Sequence, residues 1–268
     1  MTRRRFFSAL LTLAILYCAY GAVMTYLHPR YIYPFAPTVF AMDGFERHMI
    51  DVPQAAPLAV WVHTAALPGQ PVIVYFMGNA GTLDIHKAPL RLHSDAGRNV
   101  IAMEYRGGGG APGAPSEARL KADALAVLDA APALAGPGPV FVHGYSMGTG
   151  LALHVASARP VNGVILDAPF ARICDLMRRA AALPACWMPF VQKWDSLAYA
   201  GAIVAPVLIQ HGDSDTKIPP AEGLKLAEAL RAGGTEVVFN ELIGGTHGRL
   251  IEVPGYVEAL DAFIGTNR

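Results

Sequence analysis

The chain has 268 residues, 53% of them hydrophobic and 16% charged, enough to bury one large core and too few for a second of similar size. Lysine plus arginine number 21, as do aspartate plus glutamate, so no net field draws the chain toward nucleic acid, and no nucleic-acid partner is expected.

Residues 1–5 form a basic tail carrying Arg3, Arg4 and Arg5, and Phe6–Leu27 follows with no charged side chain. At ~1.5 Å per residue that stretch spans an apolar layer of about 30 Å, so residues 6–27 read as a single-pass signal-anchor. The arginines place the N-terminus in the cytoplasm and residues 28–268 on the far side, which is the periplasm in a bacterium. A cleaved signal peptide, with Ala19 and Gly21 as the small residues of its site, is the competing reading. The apolar run continues past that site to Leu27, which favours a retained anchor. Residues 28–40, opening "HPRYIYPFAP", read as a stiff linker along the membrane surface or the domain edge.

From residue 41 to 268 the pattern is that of one domain. "FERHMIDV" and "LAVWVHTA" alternate like half-buried strands joined by "PQAAP". Six short apolar runs follow: "VIVYFMG", "VIAMEY", "VFVHGYS", "GVILDAPF", "PVLIQHGD" and "EVVFNELI". Continuous apolar runs of this length predict strands covered on both faces, as in a parallel sheet. Helical segments are predicted at 116–131, 146–158, 219–232 and 257–264, the third opened by Pro219 and Pro220 and closed by Gly233 and Gly234. The class is α/β, with a mostly parallel central sheet of about eight strands. Residues 171–202 are too long for a simple crossover and rich in aromatics; they read as a lid, with Trp187, Met188 and Trp194 over the substrate.

The chemistry starts at "HGYSMG", where Ser146 follows a buried strand and precedes the apolar run "LALHVASA". A nucleophile elbow needs that context, with Gly144 and Gly148 allowing the strained turn. A serine is a poor nucleophile at neutral pH without a base to take its proton and an acid to orient the base. With the order serine, acid, histidine, only His247 in "GGTHG" follows a candidate acid; that acid is Asp215 in "HGDSD", with Asp213 read as a local turn former. His211 is expected to be structural. Backbone N–H groups of Met147 and Asn79 would form the oxyanion hole, the latter in "MGNAG". His63, His86 and His93 are expected on the surface or in loops. No metal-ligand spacing and no dinucleotide or phosphate-loop fingerprint is present, so neither metal nor cofactor is expected. Gly107–Gly110 reads as a flexible loop. Cys174 and Cys186 are expected as free buried thiols rather than as a pair, a disulfide being open to them in an oxidising compartment.

On "MGNAG", "EYRGGGGAPGAPSE", "GYSMG", "LDAPF", "HGDSD" and "THG" the chain resembles the α/β-hydrolases over residues 35–268, and within them the membrane-anchored branch of abhydrolase-domain esterases, thioesterases and lysophospholipases. Met77 stands where that branch usually has histidine, and Gly108–Gly110 where it has bulkier residues, a change expected to widen the entrance. The resemblance implies a serine hydrolase of small-molecule or lipid acyl esters or thioesters. A peptidase on the same fold and a membrane-tethered binding protein with an unused triad remain open, and nothing indicates an oligomeric state.

Overall fold

A computed structural model describes residues 3–268, so the expected basic tail begins outside the described residues. Eight strands form one sheet: β1 (Glu46–Ile50), β2 (Leu58–His63), β3 (Val72–Phe76), β4 (Asn99–Met103), β5 (Val140–Tyr145), β6 (Gly163–Asp167), β7 (Val207–Gly212) and β8 (Val237–Leu242). Their order across the sheet is β1-β2-β4-β3-β5-β6-β7-β8, antiparallel from β1 to β4 and parallel from there on. The helices are α1 (Arg3–Ile32), α2 (Lys87–Asp95), α3 (Glu117–Ala135), α4 (Gly148–Ala158), α5 (Ile173–Ala181), α6 (Pro220–Ala232) and α7 (Tyr256–Thr266).

Five of the six continuous apolar runs, β3 to β7, are covered on both faces of the sheet, whereas β8 is the edge strand and leaves Val238 47% exposed. Alternate residues split between two cores. Val72, Val74, Val142 and Val164 pack with Leu120 of α3, Leu151 of α4 and Leu226 of α6. Ile73, Phe141, Ile165 and Leu208 pack with Leu260 and Phe263 of α7. A carboxylate–guanidinium pair closes the turn after β4: Arg106 donates from Nε to Asp123 at 2.8 Å, both side chains being buried, and from Nη2 to the Ala56 carbonyl at 2.7 Å.

Three expectations are corrected here. The 28–40 linker is helical as far as Ile32, because Pro29 still accepts a backbone bond from Tyr33 and because His28 and Ile32 bury against the domain. Gly107–Gly110 is a set of tight turns: Gly107 and Gly108 donate to Ala111 and Tyr105, and Gly109 donates to Ala36. It packs against the "MGNAG" turn so closely that a Cβ at Gly108 would lie 2.1 Å from the Gly81 oxygen, so the glycines close space rather than widening an entrance. Cys174 and Cys186 form a disulfide that ties the start of α5 to the loop after it.

His86 and His93 are also misplaced by sequence reasoning, since both are buried. Arg98 Nη1 lies 3.1 Å from His93 Nδ1, His93 Nε2 lies 2.9 Å from His143 Nδ1, and His143 Nε2 lies 2.9 Å from Asp167. A guanidinium only donates and a carboxylate only accepts, so every proton in this chain points from Arg98 toward Asp167. Tyr256 donates to the same carboxylate at 2.6 Å.

Burial, reinforced by His143, lowers His86 to about 4 from 6.5. Burial, then His143 and Arg98, holds His93 well below the ordinary histidine range. Both rings stay neutral in the folded chain while the unfolded chain takes up their protons below about pH 6.5. Stability is therefore full above that pH and is lost as pH falls toward 4, His86 alone costing on the order of 2 kcal/mol between pH 8 and 5. Thermal midpoints measured across that range should fall with acid, and less steeply in His86→Phe; a flat wild-type profile would contradict the neutral buried rings.

Candidate active site

Ser146 sits between β5 and α4 with φ of +52°, a left-handed conformation that non-glycine residues seldom adopt. The strain is held from both sides. The Ser146 N–H donates to the Asp167 carbonyl of β6 at 2.8 Å, and the Ser146 carbonyl accepts from the Thr149 hydroxyl at 2.6 Å. The neighbouring glycines are required by contact: a Cβ at Gly144 would stand 2.4 Å from the Gly148 oxygen, and one at Gly148 would stand 2.1 Å from the Phe76 oxygen. Neither distance is survivable for a side chain, which explains the Gly-x-Ser-x-Gly spacing.

His247 lies on the loop after β8. Its Nε2 is 3.0 Å from Ser146 Oγ, and its Nδ1 is 2.7 Å from Asp215 Oδ2. Asp215, on the loop after β7, is fully buried as a side chain, and its Oδ1 accepts the N–H groups of Lys217 and Ile218 at 2.8 and 2.9 Å. Burial pushes this carboxyl up, but the bonds from His211 and His247, the Ile218 N–H and the charge of His247 outweigh it, so it is held well below the usual carboxylate range. Asp215 is therefore ionised whenever His247 needs a negative partner. His211 itself faces the Ile218 carbonyl at 2.9 Å and supports the loop. Asp213 is turned away: its Oδ1 accepts from Gly244 N–H at 2.8 Å and from the Ser214 hydroxyl. That bond joins the two loops carrying Asp215 and His247.

Met147 and Asn79 both border the cleft over Ser146, and neither N–H is taken up by the backbone turns around it. The Asn79 turn is supported from below, Tyr105 donating to the Met77 carbonyl at 2.6 Å. Met77, in place of histidine, is buried and leaves that carbonyl in position. Sequence reasoning missed Tyr145, whose hydroxyl donates to the His247 carbonyl at 2.7 Å, its ring 5.4 Å from the imidazole. The signal was present, since Tyr145 is the residue before Ser146, but its partner is 102 positions away. Lys217 was also missed; it is the one Lys, Arg, Asp or Glu among the described residues bordering the cleft.

The cleft is about 220 Å³. Its apolar wall comes from Tyr31 and Ile32 at the end of α1 and from Ile173, Leu176 and Met177 of α5. None of the three expected lid residues borders it. Trp194 is in the core, its Nε1 donating to the Tyr33 hydroxyl at 3.0 Å. Met188 packs against Gly21 of α1, and Trp187 is 89% exposed. Tyr17 and Tyr20 of α1 donate to the carbonyls of Ala182 and Ala181, so the chain leaving α5 lies against α1 rather than over Ser146.

Comparisons with known proteins agree with this fold. The family model of the alpha/beta hydrolase fold matches residues 71–200. The human protein ABHD12B is 31% identical over 192 residues, covering 64% of this chain and 53% of that one. A lysophosphatidylserine lipase, ABHD12 of Xenopus tropicalis, is 30% identical over 236 residues, covering 76% of this chain and 60% of its own length. The chain thus spans a little over half the length of the curated relatives it matches. The esterase Pf2001 of Pyrococcus furiosus superposes with a TM-score of 0.71 at 17% identity, covering 86% of this chain and 96% of that one, a likeness of fold alone.

A serine aligned in this way should react with a fluorophosphonate at neutral pH. Ser146→Ala should abolish labelling. Asp215→Asn, which stabilises the wrong imidazole tautomer, should slow it by a factor on the order of 10⁴, and Asp213→Asn by less than about tenfold. Equal effects of the two asparagines would reassign the acid.

Proposed function

We propose that this chain, which has the alpha/beta hydrolase fold and is similar to abhydrolase-domain lipases, is a membrane-anchored serine hydrolase that cleaves carboxylic esters of lipids. The observation that carries the reading is the line Ser146–His247–Asp215 at the foot of a cleft walled by α5 and the end of the apolar helix α1.

In this reading His247 Nε2 accepts the Ser146 proton as Oγ attacks the ester carbonyl, and Asp215 stabilises the imidazolium. The N–H groups of Met147 and Asn79 bind the oxyanion. Collapse of the tetrahedral intermediate expels the alcohol, which takes the proton from His247 and leaves an acyl-Ser146. Water, deprotonated by the same imidazole, then attacks the acyl group, and the carboxylic acid leaves as Ser146 recovers its proton. The matched relatives named lysophosphatidylserine lipase support a lysophospholipid as substrate. Lys217 at the rim suits an anionic headgroup, and the apolar wall suits the acyl chain.

In the same proposal α1 is a retained anchor, Arg3–Arg5 stay in the cytoplasm, and residues 41–268 form the hydrolase domain on the other side, where a disulfide persists. Residues 171–181, rather than the whole of 171–202, act as the lid.

Purified chain should hydrolyse single-chain lysophospholipids and p-nitrophenyl esters, with kcat/KM rising from acetate toward medium chains as each buried CH₂ contributes about 0.8 kcal/mol. Met177→Ala should flatten that rise more than it lowers acetate turnover. Peptide amide turnover above ester turnover would make the chain a peptidase, and no turnover with an unlabelled Ser146 would make it a binding protein.

A further inference from the structure

We propose that the loop Leu183–Phe190 is itself embedded in the bilayer beside α1, and that the groove between them holds a lipid acyl chain. The inference rests on α1 spanning the membrane and is independent of the hydrolase chemistry.

Position comes first. The groove, about 470 Å³, has Tyr17, Gly21 and Thr25 of α1 on one side and Leu183, Met188 and Phe190 on the other. These α1 residues precede Leu27, the last of the uncharged run, by two to ten positions. At 1.5 Å per residue the groove lies from ~3 to ~15 Å inside the apolar layer, within the half of a ~30 Å core that faces the domain. The loop cannot stay packed on α1 and remain outside that layer.

Composition fits that depth. Residues 180–192 hold no Lys, Arg, Asp or Glu, and Arg179 and Lys193 flank the run. Trp187 and Phe190 are 89% and 90% exposed, an arrangement unfavourable in water for two large aromatics and favourable at a membrane interface.

The backbone fits it as well. Irregular chain is tolerated at membrane depth only where its polar groups are satisfied within the protein. Every carbonyl from Ala181 to Cys186, and that of Met188, has a donor. Tyr20 and Tyr17 serve Ala181 and Ala182; loop N–H groups serve Leu183, Pro184 and Ala185; and Lys193 Nζ serves Cys186 and Met188. The Cys174–Cys186 disulfide fastens the same loop to α5, one wall of the cleft. Seating the loop in the leaflet therefore sets that wall, and the mouth of the cleft, at the membrane surface.

The test is fluorescence of the full chain in phosphatidylcholine vesicles, with Trp187→Phe measured in parallel so that the difference isolates Trp187 from Trp61 and Trp194. Phosphatidylcholine brominated on its acyl chains should quench the Trp187 share at least twofold, and iodide in the buffer should leave it nearly unquenched. Full quenching by iodide with none from the brominated lipid would overturn the proposal. So would shielding from both quenchers in a chain that crosslinks as a dimer, which would mean that a second copy covers the loop.

Because both aromatics are exposed, Trp187→Ser with Phe190→Ser leaves the packing intact. The double variant should retain turnover of soluble p-nitrophenyl butyrate and lose on the order of tenfold on a lysophospholipid carried in vesicles. Equal turnover on the vesicle-borne ester would count against the embedded loop. Failure of the quenching result leaves the hydrolase reading standing, whereas loss of turnover on every ester in the wild type removes that reading without touching the loop.

Discussion

The close approach of two backbones under Ser146 is the constraint on which the site depends. β5 and α4 meet where Gly144 and Gly148 leave no room for a Cβ, and Gly148 also lies against the Phe76 carbonyl at the end of β3. That contact brings α4 down onto the sheet edge, so Met147 and Asn79, in the turn after β3, border the same cleft. Ser146 is held in its left-handed conformation by a bond to β6, so the strain of the elbow is borne by three adjacent parallel strands rather than by the turn itself.

Asp215 and His247 are held as firmly as Ser146. The loops after β7 and β8 are locked to each other: Asp213 caps Gly244, Ser214 donates to the Gly245 carbonyl, and Gly212 packs so closely that a Cβ there would lie 2.1 Å from the Gly245 oxygen. Tyr145 then ties the His247 carbonyl back to the elbow. Each loop is fixed relative to the next, which is how two hydrogen bonds of 2.7 and 3.0 Å can be maintained along the line from Asp215 to Ser146.

The N-terminal helix is part of the same construction rather than an appendage. Its last turn borders the cleft, Tyr33 just beyond it accepts from Trp194, and His28 accepts the Gln192 N–H. α5 is held to the segment after it by the disulfide, and that segment is held to α1 by two tyrosine hydroxyls. The wall over Ser146 and the N-terminal helix are thus joined by a disulfide and by side-chain hydrogen bonds.

Local pattern was enough to read the α/β alternation, the doubly covered strands, the elbow and the apolar helix, because each depends on residues near one another in sequence: period, glycine spacing, an uninterrupted apolar run. That Ser146 would meet His247 rather than His154 or His211 was expected for a related reason, since chain order alone filters the candidates. Asp215 over Asp213 was a preference until the loops were in place, because both sit in one turn and differ only in which way each carboxylate points. What depends on distant partners was not legible. Nothing near His93 in sequence marks Arg98, His143 and Asp167 as members of one buried chain with it, and the disulfide looks like two free thiols. Trp187, Met188 and Trp194 were misassigned because an aromatic run has the same composition whether it packs on a cleft, in a core or against another helix. Met188 meets Gly21 of α1 and Trp194 meets Tyr33, each partner more than 150 residues upstream, and only the folded chain brings them together.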